Sequence, residues 1–142
     1  MIMRCSFGVN LKFKLVIVLL IIKYNSDITG SGADRFSRRR KFWEQLLPEL
    51  NHSILFTRVN PTKDFWLSAG AGVSGLSYTL LVTKSYAAIE FTINRASKED
   101  NKRLFNTILT HKTEIEARFG SPLSWDPMTE AKMSRIKYQL DH

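Results

Sequence analysis

WLSAGAGVSGLSYTLLVTKSYAAIEFTIN, Trp66–Asn94, is the stretch that decides the fold. From Leu76 onward, Leu76, Tyr78, Leu80 and Val82 alternate with Ser77, Thr79, Leu81 and Thr83; a second apolar set follows at Ala87, Ile89, Phe91 and Ile93. Alternation with a period of two is the mark of a strand with one buried face. Lys84, Ser85 and Tyr86 leave room for a short reversal between the two runs. The stretch therefore predicts a β-hairpin whose apolar face needs a cover.

Two helical stripes can supply that cover. Across Ala33–Leu50, Phe36, Trp43, Leu46, Leu47 and Leu50 recur at helical intervals on one side, and Phe36 is expected to anchor that side to the core. Pro48 should kink or end this helix near Leu47, because proline donates no backbone hydrogen bond. A second helix is predicted over Lys98–Phe119. Its start carries a capping-box pair, Ser97 and Asp100, and its stripe comprises Leu104, Phe105, Ile108, Leu109, Ile115 and Phe119. Gly120 and Pro122 end it, and Leu123 and Trp125 should fold back onto the core. A short strand candidate, Phe65–Ala69, precedes the hairpin. In a last one, Met133–Leu140, Ile136, Tyr138 and Leu140 oppose Arg135, Lys137 and Gln139. These elements predict an α+β domain over residues 33–142, with an antiparallel sheet of three to four strands and two main helices on one face.

A chain of 142 residues suits one such domain. Residues 1–32 are set apart: Leu15–Ile22 is apolar and flanked by Lys12, Lys14 and Lys23, and Asn25–Gly32 reads as a linker. The apolar run is shorter than the ~20 residues a membrane-spanning helix needs, and KYNSDITG after it lacks the small-residue pair of a signal-peptide cleavage site. It is read instead as a strand buried on both faces or as the tail of an upstream domain. The lone cysteine, Cys5, excludes an intramolecular disulfide framework, which fits a cytoplasmic location.

The formal net charge of +8 is uneven. Residues 1–60 hold 10 Lys/Arg against 4 Asp/Glu, and residues 61–142 hold 11 against 9. Arg35, Arg38, Arg39, Arg40 and Lys41 crowd the first half of the first helix, where the helix dipole already disfavours positive charge. Such a cluster suits an anionic partner, and the readings are a DNA-contacting face formed by Arg35, Arg38, Arg39, Lys41, Arg135 and Lys137, or a solvated face with Glu44 pairing Arg40. Arg38 and Arg39 are expected to project toward a phosphate. Phe65 and Trp66 are the candidates for contact with a partner protein.

Catalytic patterns are tested in the same way. Gly70, Gly72 and Gly75 spell G-x-G-x-x-G, but the dinucleotide reading requires a helix after the motif, and here a strand follows. A tight turn or bulge is the better use for these glycines. Glu130, Ala131 and Lys132 spell the E-x-K of a metal-dependent nuclease with Asp126 upstream, but in a connector rather than on a strand. His52, His111 and His142 lie far apart. Glu90 is expected to pair with Arg135 or Lys137 rather than to act as a base. No catalytic residue, metal or cofactor is expected, and cleavage of nucleic acid is not.

RRKFWEQLLPEL (Arg39–Leu50), WLSAGAGVSGLSYTLLV (Trp66–Val82), KTEIEARFGSPLSW (Lys112–Trp125) and SRIKYQL (Ser134–Leu140) together resemble an uncharacterised prokaryotic family, domain of unknown function 4268. The resemblance covers the larger, C-terminal part of the chain and brings no established activity. Domains similar to this one often lie C-terminal to a restriction-endonuclease-like domain, which implies a link to DNA or to defence against foreign DNA. A non-catalytic accessory domain that associates with nucleic acid or with a nuclease-like partner is the expectation. A protein-interaction domain without nucleic-acid contact is the alternative, and membrane attachment through Leu15–Ile22 the weakest reading. Oligomeric state is not legible.

Overall fold

The computed structural model describes residues 34–50 and 59–141. Cys5, the apolar run Leu15–Ile22, the linker Asn25–Gly32, His52 and His142 lie outside the described residues. The elements run α1 (Asp34–Leu50), β1 (Trp66–Gly70), β2 (Leu76–Val82), β3 (Tyr86–Ile93), α2 (Lys98–Leu109), α3 (Lys112–Phe119), β4 (Ser124–Asp126) and β5 (Ser134–Asp141). The domain is α+β, with one antiparallel sheet in the order β1-β2-β3-β5-β4.

The β2–β3 hairpin has the predicted register, with Leu76 opposite Ile93 and Leu80 opposite Ile89. Its reversal is set by Thr83. The Thr83 N–H donates to the Tyr86 carbonyl at 2.9 Å, and the Thr83 hydroxyl accepts from the N–H groups of Ser85 and Tyr86 at 3.2 and 3.1 Å. A hydroxyl that replaces missing ladder partners in this way makes a two-residue loop stable. Across the sheet, Leu67, Leu80, Ile89 and Tyr138 form one inward row and Tyr78, Phe91, Ile136 and Trp125 cross another.

Helices cover that face in two halves. Phe42, Trp43, Leu46 and Leu47 of α1 pack over Leu67, Ala69, Leu80, Val82 and Ile89. Phe105 and Ile108 of α2 and Ile115 of α3 pack over Leu76, Ile93 and Ile136. Trp43 is almost wholly buried, and its indole N–H donates to the Asp64 carbonyl at 2.9 Å. That bond fixes the approach to β1 against the helix and satisfies the one polar atom the ring carries inward.

The expectation of three to four strands and two helices is corrected: the described residues form five strands and three helices. The additional strand, β4, has three residues and pairs with β5 through Trp125 and Ile136, too short to show a period. The additional helix arises because the predicted Lys98–Phe119 helix breaks at Thr110 and His111. There the Thr110 hydroxyl donates to the Thr107 carbonyl at 2.6 Å and the His111 N–H donates to Ile108 at 2.9 Å, so local bonds tighten the chain out of α-helical register. Ser97 does cap α2, accepting from the Asp100 N–H at 3.3 Å, and Gly120 closes α3 in the left-handed conformation. Pro48 does not end α1, which continues to Leu50; two residues from the terminus, its missing donor costs at most one late bond.

The glycine motif is a hairpin loop between β1 and β2. Gly72 and Gly75 take φ of +86° and +81°, and the Ala71 N–H donates to the Leu76 carbonyl at 2.9 Å.

Candidate functional site

Phe36, Phe65 and Trp66 are the exposed large hydrophobic residues among those described, at 41%, 39% and 41%. Phe36 and Phe65 stand where the start of α1 meets the entry to β1, and Trp66 follows Phe65 onto the opposite sheet face. Phe36 does not anchor the core, as its place on the stripe predicts. It lies two turns before Trp43 on the same side of α1, and its ring carries Arg35 at 5.0 Å and Lys63 at 5.8 Å instead. One helical turn on, Arg39 sits 5.6 Å over the ring of Phe65. Cations over aromatic faces are held by the ring quadrupole, so these contacts fix a surface in which charge and ring alternate. Phe42, outside the predicted stripe, is buried in the core.

The arginines differ in how their charge is used. Arg38 pairs with Asp34 at 3.1 Å and Arg40 with Glu44 at 3.6 Å, each one helical turn away. Arg38 is half-buried, so it projects less freely than expected; Arg35 and Lys41 are exposed. The Nη1 atom of Arg38 and Nε of Arg39 are buried and find no acceptor among the described residues. Lys63, which nothing in the linear pattern marks, is exposed and joins the patch through Phe36. The signal available in the sequence was its place two residues before Phe65.

Arg135 and Lys137 do not extend this patch. Both lie on β5, in register with Thr92 and Glu90, and so project from the sheet face opposite the one α1 covers. Arg135 is held between Glu90 at 3.4 Å and Asp126 at 3.5 Å, and Lys137 stands directly across from Glu90 and Ser124. Two carboxylates around one guanidinium leave that face without an excess of positive charge. The predicted pairing of Glu90 with Arg135 is present.

The E-x-K residues sit in the turn between β4 and β5, with Glu130 and Lys132 exposed. Asp126, the acid upstream, is turned to Arg135 and accepts the Met128 N–H at 2.9 Å. His111 is exposed, with Glu114 at 3.9 Å. Among the described residues no three His, Cys, Asp or Glu side chains come together to hold a metal ion. No helix among them is long and apolar enough to cross a membrane.

An antiparallel sheet with helices on one face, together with a basic, aromatic corner, defines an α+β domain. The chain belongs to the family described as Domain of unknown function (DUF4268), whose model matches residues 38–142. Neither the curated proteins nor the solved structures compared with it contain a match.

Proposed function

We propose that the domain is a non-catalytic accessory module that associates with nucleic acid through the corner built from Arg35, Phe36, Arg39, Lys63 and Phe65. The observation that carries this reading is Arg39 over the Phe65 ring, because it merges the basic stretch with the aromatic pair into one surface. Lysine and arginine side chains on such a surface bind phosphates without reading bases, and their contribution falls as salt rises. The family resemblance adds a context, a nuclease-like domain acting on DNA beside which this module would work.

Fluorescence anisotropy of labelled duplex DNA at low and physiological salt tests the reading. Binding is expected to be micromolar or weaker, on the order of 10⁻⁴–10⁻⁶ M at physiological salt. Replacing Arg35, Arg39 and Lys63 together by Gln should weaken it and flatten the salt slope by about one unit for each phosphate no longer neutralised. Absence of binding at low salt would overturn the reading. In its place Phe65 and Trp66, exposed at the edge of β1, would favour a protein-interaction module.

A further inference from the structure

The corner holds more than a phosphate surface requires. Phosphate contacts need cations alone, yet the three exposed large hydrophobic residues among those described all stand here, interleaved with Arg35, Arg39 and Lys63. Phe65 immediately precedes β1 and Trp66 begins it; among the described residues β1 pairs only with β2. Trp66 is in register with Leu81, and so projects from the face opposite Leu67, whereas Phe65 meets α1 through Arg39. The rings thus follow the rim of the sheet round from the helix side to the open side. The segment leading to them is held in place: Trp43 donates to the Asp64 carbonyl at 2.9 Å, and the Thr62 hydroxyl donates to the Trp66 carbonyl at 3.2 Å.

A duplex presents phosphates outside and hides the faces of its bases within the stack. An unpaired strand presents both, and aromatic side chains beside a cationic track are the means by which proteins hold it. Deepening the reading above, and resting on it, we propose that this corner takes single-stranded nucleic acid in preference to duplex. Trp66 and Phe36 stack on unpaired bases, while Arg35, Arg39 and Lys63 hold the intervening phosphates. Arg35 and Lys63 reach Phe36 on long flexible stems, so a phosphate can draw them off the ring and leave it to a base. The three cations supply the charge complementarity, and the rings supply the discrimination.

The test compares oligothymidylate, a duplex of equal length and an abasic oligonucleotide that keeps the phosphates and lacks the bases. The intact chain should bind the three in the order single strand, duplex, abasic strand, with the first favoured about tenfold. Trp66→Ala should weaken single-strand binding about tenfold and leave duplex binding unchanged, with Trp66→Phe restoring most of the loss, and Phe36→Ala should weaken single-strand binding more than duplex binding. Oligothymidylate should quench the exposed indole of Trp66, and that quenching should vanish in Trp66→Phe. Matched circular dichroism and thermal midpoints establish that each variant is folded. Equal affinity for single strand and abasic strand, or quenching that persists in Trp66→Phe, would overturn the stacking proposal while leaving phosphate binding intact. Failure of all three oligonucleotides to bind would overturn both readings.

Discussion

The ammonium of Lys102, on α2, lies 2.6 Å from the carbonyl oxygen of Met133, at the threshold of β5. The same nitrogen donates to the carbonyls of Pro127 at 2.5 Å and Met128 at 2.9 Å, and to the Ser134 hydroxyl at 3.1 Å. One turn of the connector is thereby gathered round a single side chain. Met128, whose φ of +50° is unusual for a residue with a side chain, is held within it. Asn101, fully buried, adds bonds from its amide to the carbonyls of Lys132 at 2.9 Å and Arg95 at 3.3 Å. Lys102→Met keeps the stem and removes every donor, leaving the part-buried carbonyls unsatisfied. Urea denaturation should show a loss of about 2 kcal/mol. A change within error would mean that water replaces the ammonium without cost.

The charge of Lys102 makes stability depend on pH. Burial and then the neighbouring Lys98 lower its pKa from the ordinary 10.5, while Asp126 pulls it the other way. Because the folded-state value lies below the unfolded one, the unfolded chain holds more protons in the window between them, and stability from this group rises with pH across it. The urea midpoint of the wild type, referred to that of Lys102→Met at each pH, should therefore climb as pH rises toward 10.5. A fall over the same range would reverse the assigned sign.

Two glycines of the β1–β2 loop separate strain from crowding. Both take positive φ, but an added Cβ on Gly72 meets nothing within 4 Å, whereas on Gly75 it meets the Arg95 Cα at 2.9 Å and the Asn94 carbonyl oxygen at 3.0 Å. Gly72→Ala should cost about 1 kcal/mol, the ordinary penalty of the left-handed region. Gly75→Ala should cost about 2–3 kcal/mol, because backbone must also move. Equal costs, read from thermal or urea unfolding, would show that the Asn94–Arg95 backbone yields freely.

What the sequence revealed of this fold follows from which signals are local. The hairpin register was legible because Leu76–Val82 and Tyr86–Ile93 alternate cleanly and share one short loop. The strand order β1-β2-β3-β5-β4 was not, since β5 reaches β3 across two helices and a third strand. The basic residues of the site were visible as a run. Their setting was not, because helical periodicity assigns Phe36 to the core without knowing where the sheet beneath it ends, and Lys63 belongs to the surface only through its approach to Phe36 in space. Arg135 and Lys137 were grouped with the helix on charge alone; alternation along β5 sends them to the other face.

That separation yields the last prediction. Arg135 links Glu90 on β3 to Asp126 on β4 across β5, with the arginine and Glu90 side chains largely shielded and Asp126 more exposed. Arg135→Gln would leave two carboxylates facing each other without their cation, and the short β4 has only three residue pairs with which to hold its place. Ion pairs at this exposure contribute modestly, so the expected loss of stability is about 1 kcal/mol, decreasing as salt screens the pair. Oligonucleotide affinity should remain that of the wild type, since the guanidinium already faces two acids and β2 and β3 separate β5 from the strand that carries Trp66. Lys137→Gln should leave both stability and binding close to unchanged. If Arg135→Gln instead lowered affinity and flattened its salt dependence while thermal unfolding stayed constant, the binding surface would extend across the open sheet face from Trp66 as far as β5.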